Sequence, residues 1–288
     1  MQISLIGTGL MGSAMTERLL AFGHEVIVWN RTQEKTEPLR QQGATVARSA
    51  TEAIQASVCT ILLLTDASAI QQALFASDGR PDFQRRTIIQ MGTIAPQESI
   101  ALGQEIRLGL GEYLEAPVLG SIAEAKAGEL IVMVGGAAEM LDRWNIVLQC
   151  FSAEPLFVGP IGQAAALKLA LNQLIASHIT AFSLSLGMIQ RSGGDVETFM
   201  RVLRQSALIT PMFDKKLPKL LAHDYTNPNF PTEHLLKDVN LCLQTAESSH
   251  LDTSVLQGIK TIFEKAVGQG LPNQDYSSVF ETIVPREN

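Results

Sequence analysis

The chain opens MQISLIGTGLMG, Met1 to Gly12, and the order of apolar strand, glycine turn and helix in this stretch decides the fold. Ile3 to Ile6 read as a short buried strand, and a helical pattern follows through Leu20. Between them Gly7 permits a tight turn, Gly9 lets the backbone approach a pyrophosphate, and Gly12 lets the helix pack closely on the strand. The helix N-terminus offers amides and a partial positive charge to phosphates. Gly7, Thr8, Gly9, Leu10, Met11 and Gly12 are therefore the expected cradle of a dinucleotide.

The next strand, Glu25 to Trp29, ends in Asn30-Arg31-Thr32, where an NAD-binding unit usually carries an acid for the ribose hydroxyls. No acid is present. A guanidinium suits a 2′-phosphate instead, since Arg31 can grip it with two hydrogen bonds and stack on adenine, while Thr32 donates another. The plain alternative for Thr32 is the N-cap of the following helix. NADP(H) is the expected cofactor.

Composition narrows the class. The 288 residues are 46% hydrophobic, enough for a large core and two domains. A net charge of −7 argues against a nucleic-acid partner, and the longest basic cluster is Lys215-Lys216. Cys59, Cys150 and Cys242 are far apart in apolar surroundings and read as reduced thiols, without disulfide or metal-ligand spacing. With the first strand needed for the fold, no signal peptide is expected, and the protein reads as cytoplasmic.

Apolar runs then alternate with helical patterns at the spacing of a parallel α/β sheet. The expected strands are Ile3 to Ile6, Glu25 to Trp29, Cys59 to Leu64, Thr87 to Gln90, Glu112 to Ala116 and Leu130 to Val134. The loops after them at Leu64-Thr65 and Met91-Gly92-Thr93 fall at carboxyl ends of strands, where open α/β sheets bind ligands. Beyond Pro160 strand signals stop. The expected organisation is an N-terminal Rossmann-type doubly wound domain over 1–160, joined by a long interdomain helix to an all-α domain over 161–288.

That helix opens in GPIGQAAALKLALN, Gly159 to Asn172, with Lys168 in an otherwise aliphatic run. An ammonium loses hydration on burial, and burial lowers its pKa toward values where it can give up a proton. Asn172 follows one helical turn later on the same face, able to hold the lysine or a reacting oxygen. The whole run from Gly159 to Gln190 is nearly apolar but carries Lys168, Asn172 and His178, so a core helix is expected rather than a membrane span. Its apolar surface from Leu167 to Met188 exceeds what one small domain covers, which points to a homodimer or homotetramer.

Four spaced motifs together resemble the β-hydroxyacid dehydrogenase family over essentially the whole chain: GTGLMG with NRT (7–12, 30–32), EAPVLGSIAEAKAGEL (115–130), GPIGQAAALKLALN (159–172) and FPTEHLLKD (230–238). The resemblance implies that Lys168 is the catalytic acid/base, that segment 115–130 shapes the substrate pocket, that Thr93 lies on the nicotinamide side, and that Lys237 and Asp238 sit near cofactor and substrate. The NRT signature, TPMF at 210–213 and the FP…KD spacing look most like the NADPH-dependent glyoxylate and succinic semialdehyde reductases. On the residues alone, the amides of Gly120 and Ser121 can receive a substrate carboxylate, Phe230 is a rigid core or wall residue between prolines, and Thr93 could equally cap the helix before Pro96.

Two departures from the family pattern bear on the substrate. The usual V-S-G-G or V-S-G-S is here Val118-Leu119-Gly120-Ser121, which loses a hydrogen bond of about 1.5–3 kcal/mol to a charged group. The usual D-M-S-T is here Gln90-Met91-Gly92-Thr93. Other expected readings are a 3-hydroxyisobutyrate-type dehydrogenase, an imine reductase, which Lys168 speaks against and Leu119 leaves open, and a non-catalytic NADP-binding protein.

Overall fold

Both faces of the first strand are buried, as an inner strand of a parallel sheet requires, so it is apolar but for Ser4, whose hydroxyl donates to Ala53 O, and the exposed Gln2. Ile3 and Leu5 enter one core and Ile6 the other, all with no exposed surface. The computed structural model describes residues 1–75 and 81–285. Among them nine strands form one sheet: β1 (Gln2–Ile6), β2 (Glu25–Trp29), β3 (Thr45–Val46), β4 (Cys59–Leu62), β5 (Thr87–Gln90), β6 (Glu112–Glu115), β7 (Val118–Leu119), β8 (Ile131–Gly135) and β9 (Leu156–Gly159).

The spatial order is β3-β2-β1-β4-β5-β6-β8-β7, with β9 paired to β8. From β3 through β6 all pairs are parallel, the doubly wound Rossmann order with its switch point between β1 and β4. β8 runs antiparallel to β6 and β7, so the sheet is mixed at this edge. One face holds Leu5, Ile61, Leu114 and Val132 against the helices Leu10–Ala21 and Ala138–Leu148; the other holds Ile6, Leu62 and Tyr113 against Ala50–Ala56 and Pro96–Leu108.

The observed strands differ from expectation at their ends. β4 stops at Leu62: Leu63 N donates to Ile6 O at 2.8 Å, and the chain then leaves the sheet. β6 ends at Glu115 and β8 begins at Ile131. β3 and β7 are two-residue strands, too short to carry a periodic signal, and β9 exposes Leu156 and Phe157 at its start.

Contacts divide the chain into two compact units, Met1–Lys168 and Leu169–Asn288. Both share the helix Gln163–Arg191, 29 residues and about 43 Å long. It is long and apolar enough by composition to cross a membrane, yet in the second unit it buries Ala176 and Ile179 in one helical core and Phe182 and Leu186 in another. The remaining helices of that unit are Val196–Arg204, Pro211–Ala222, Thr232–Ser248, Ser254–Gly268 and Val279–Ile283.

A buried ion pair locks the second unit. Lys216 Nζ lies 2.7 and 2.8 Å from the two carboxylate oxygens of Asp275 and 4.1 Å from the centre of the Tyr276 ring. Burial pulls the Lys216 ammonium below the ordinary lysine value, and Asp275 opposes that shift. Asp275 also accepts from the Ser277 amide and hydroxyl, so both carboxylate oxygens are used. Cys59 and Cys150 are buried free thiols and Cys242 is half-buried; burial raises the pKa of all three. Among the described residues no three His, Cys, Asp or Glu side chains form a metal-binding group.

Candidate active site

The carboxyl ends of β1 and β4 meet at the switch point, and the three glycines after β1 meet three different demands there. Gly7 has φ +102°, and a Cβ on it would lie 2.3 Å from Leu63 O. A Cβ on Gly12 would lie 1.9 Å from Gly7 O, so the helix Leu10–Ala21 packs directly on its own turn. At Gly9 nothing stands within 4 Å of a Cβ position. That open space lies at the N-cap of a helix with no acidic residue in its first turn and no side-chain cap, so the first-turn amides are left for an anion. The cradle fits a pyrophosphate.

Thr8 and Asn30 shape this turn and do not face outward from it. Thr8 is buried, and its amide donates to Asn30 Oδ1 at 3.1 Å; Asn30 Nδ2 donates to Thr32 O at 2.8 Å. The side chain expected at the cofactor therefore serves as a brace between the β1 turn and the β2 loop. Arg31 and Thr32 beyond it are exposed. Thr32 occupies the N-cap of a 3₁₀ turn, Gln33–Thr36, as the plain alternative has it, though its hydroxyl makes no capping bond.

After β4, Leu64 is half-buried and Thr65 exposed, and Asp66 caps the next helix by accepting from the Ala69 amide at 2.8 Å. After β5, a Cβ on Gly92 would lie 2.7 Å from Leu64 O, which draws the two loops together. Gln90 is buried, donates to Gly92 O at 3.3 Å and leaves its own Oε1 without a hydrogen-bond partner. Thr93 is not the cap of the following helix: Ala95 holds that position, its amide donating to Glu98 at 2.7 Å.

The expected carboxylate seat is partly closed. Gly120, with φ +142°, turns the chain after β7, but the Ser121 amide already donates to Glu124 Oε2 at 2.7 Å in a capping box that starts the helix Ile122–Ala127. Ser121 is thus a helix cap whose amide donates to Glu124 in this structure. Leu119 is half-buried beside it.

Glu115, which opens the 115–130 motif and ends β6, has both carboxylate oxygens engaged. It is 1% exposed, and its Oε1 accepts from the amides of Gly162 and Ala164 at 2.8 Å and of Ala165 at 3.4 Å. These are first-turn amides of the helix that carries Lys168, itself half-buried one turn further on. The only sequence signal was an acid ending an inner apolar strand, where a charge needs a dedicated partner.

In the second unit Asn172 Nδ2 donates to Asp238 Oδ2 at 2.6 Å, both residues being buried. Asn172 Oδ1 and Asp238 Oδ1 have no hydrogen-bond partner, and Lys237 Nζ stands 2.8 Å from the latter as a charge contact outside hydrogen-bond geometry. Asn172, Lys237 and Asp238 thus come together, with Asp238 Oδ1 facing the Lys237 ammonium. Phe230 is fixed by an edge-on contact with Tyr276, ring centres 5.9 Å apart.

Two family profiles tile the chain: the NAD binding domain of 6-phosphogluconate dehydrogenase over residues 2–159, and the NAD-binding domain of NADP-dependent 3-hydroxyisobutyrate dehydrogenase over 162–283. The chain is 30% identical to glyoxylate/succinic semialdehyde reductase 1 of Arabidopsis thaliana, with 98% of each chain covered. The chain belongs to the β-hydroxyacid dehydrogenase family. As such it is an NAD(P)-dependent oxidoreductase acting on hydroxyl and carbonyl groups of a small molecule, and NADP(H) is its cofactor. The fold is shared with a 3-hydroxyisobutyrate dehydrogenase from Mycobacterium tuberculosis (TM-score 0.87, 22% identity, 98% of each chain). It is shared more distantly with an imine reductase from Myxococcus stipitatus (TM-score 0.66, 20% identity, 97% and 98% covered). Against the β-hydroxyacid dehydrogenase pattern, the Gln90 and Gly92 departures are coupled: only glycine fits under Leu64 O, and the longer Gln90 side chain reaches over to the Gly92 carbonyl.

Proposed function

We propose that this β-hydroxyacid dehydrogenase reduces a small aldehyde acid, of the glyoxylate or succinic semialdehyde type, to the hydroxy acid with NADPH. The observation that carries the reading is Lys168, one turn past the buried anchor of its helix and one turn before Asn172. The full-length similarity to the Arabidopsis reductase supports the substrate class. Gly7, Gly9, Leu10, Met11 and Gly12 hold the pyrophosphate, Arg31 and Thr32 take the 2′-phosphate, and Leu64, Thr65, Thr93 and Lys237 complete the cofactor contacts. Bound there, the dinucleotide supplies a hydride from its nicotinamide. Lys168, as ammonium, donates the proton to the carbonyl oxygen and in the oxidative direction takes it back as base. Asn172 orients the reacting oxygen through its amide, and Leu119, Gly120, Phe230 and Asp238 shape the far end of the substrate.

The protein works in the cytoplasm as a homodimer or homotetramer. Leu174, Leu184 and Met188, exposed along the long helix, support assembly. A second reading, reduction of an uncharged carbonyl compound or a cyclic imine, is favoured by Leu119 and by the committed Ser121 amide, since both weaken carboxylate recognition. Initial rates of NADPH oxidation with glyoxylate, succinic semialdehyde, methylglyoxal and a cyclic imine decide between them. Lys168→Ala is expected to lower kcat by about 10²-fold or more while still binding NADPH; wild-type turnover in that variant removes the mechanism.

A further inference from the structure

Four amides open the long helix without intrahelical partners in an ordinary helix start, and here each is accounted for. Gln163 N donates to Pro160 O at 3.2 Å, while Gly162, Ala164 and Ala165 donate to the side chain of Glu115. The carboxylate therefore replaces the local cap that most helices carry in their own sequence, and it does so from a strand 49 residues earlier. A buried negative charge at this end also complements the helix dipole.

The surroundings are built around that carboxylate. Gly135 is the register partner of Glu115 on β8, and a Cβ there would lie 2.3 Å from Oε1. The other carboxylate oxygen accepts from Ser99 Oγ, which in turn meets Tyr113 Oη at 2.8 Å. One side chain thus has its position set from three directions: by a missing Cβ on β8, by a hydroxyl from the helix Pro96–Leu108, and by the helix amides. Covalently it leads straight into Ala116, Pro117 and the β7 turn at Leu119-Gly120.

We infer that Glu115 is a positioning residue for the reaction: it locks the register and direction of the helix turn before Lys168 to the strand that delivers the substrate-facing turn. It touches neither cofactor nor substrate and acts through Lys168. The inference rests on the reading of Lys168 as proton donor. A displacement of about 1 Å in a reacting group costs on the order of 10²-fold in rate, so a loosened helix start reaches kcat before it reaches binding.

The test compares Glu115→Gln, Gly135→Ala, Ser99→Ala and Lys168→Ala with the wild-type full chain. Glu115→Gln removes the charge and leaves one acceptor oxygen in place of two, so an NH2 group must face either Ser99 Oγ or the helix amides; Gly135→Ala keeps the charge and pushes the carboxylate off its seat. Both are expected to lower kcat about ten- to a hundred-fold while KM for NADPH stays within about two-fold, since the glycine cradle is untouched. Amide hydrogen exchange at 162–165 is expected to accelerate at least ten-fold in both, and Ser99→Ala is expected to lie between them and the wild type. Unchanged kcat per folded molecule in the variants that fold, with only a lower Tm, overturns the inference and leaves Glu115 a stability residue. Equal falls in kcat and NADPH affinity overturn it too. If Lys168→Ala alone retains full turnover, the proton-donor reading fails, while faster exchange at 162–165 still reports the anchor.

Discussion

Arg31 stands exposed one residue beyond the Asn30 brace, where no acid competes for the ribose. Arg31→Ala is expected to raise KM for NADPH about ten- to a hundred-fold, from the loss of a charge-assisted contact of about 1.5–3 kcal/mol, and to leave KM for NADH nearly unchanged. Steady-state rates with the two cofactors measure it; equal effects on both would show that Arg31 does not read the 2′-phosphate. The same stretch shows what a motif can and cannot say. The residue types in NRT pointed to the phosphate, but the inward turn of Thr8 and the two hydrogen bonds of Asn30 depend on the approach of two strands, which the motif does not encode. Ser121 teaches the same lesson: Glu124 three residues on forms a capping box with it, and its carboxylate accepts from that amide.

The first strand and helix illustrate why the cradle was readable in advance. Its spacing is local, with Gly7, Gly9 and Gly12 inside one strand-turn-helix unit, although the crowding at Gly7 comes from Leu63 O after β4. Gly12→Ala would place a Cβ 1.9 Å from Gly7 O. The helix must then shift off the strand, at about 1–3 kcal/mol by overpacking, and its N-terminus moves away from the pyrophosphate. A lower Tm together with weakened NADPH binding, read by thermal unfolding and nucleotide fluorescence titration, is the expected result; unaltered binding would mean that the turn tolerates a wider separation. The long helix behaves differently. Its apolar length is plain in the sequence, yet the residue that caps it, Glu115, lies in another element and became visible only when β6 met Gly162 and Ala164.

The second unit rests on Lys216 and Asp275, which are far apart in sequence; Lys216 reads there only as half of a basic pair, and no local pattern marks Asp275. Lys216→Met strands a buried carboxylate and is expected to destabilise the protein by about 3–5 kcal/mol in urea unfolding, whereas the double change Lys216→Met with Asp275→Leu recovers most of that loss. Additive losses would show that the ion pair carries no coupling. Period, composition and the glycine spacing were enough for the doubly wound sheet, the helical second half and the dinucleotide cradle, because each leaves a local signature in the alternation of apolar runs, helical period and turn glycines. The Glu115 anchor, the Asn172–Asp238 pair and the Lys216–Asp275 lock arise where segments 49, 66 and 59 residues apart are brought together. Buried charge must find a partner wherever the fold supplies one, and no local pattern states which.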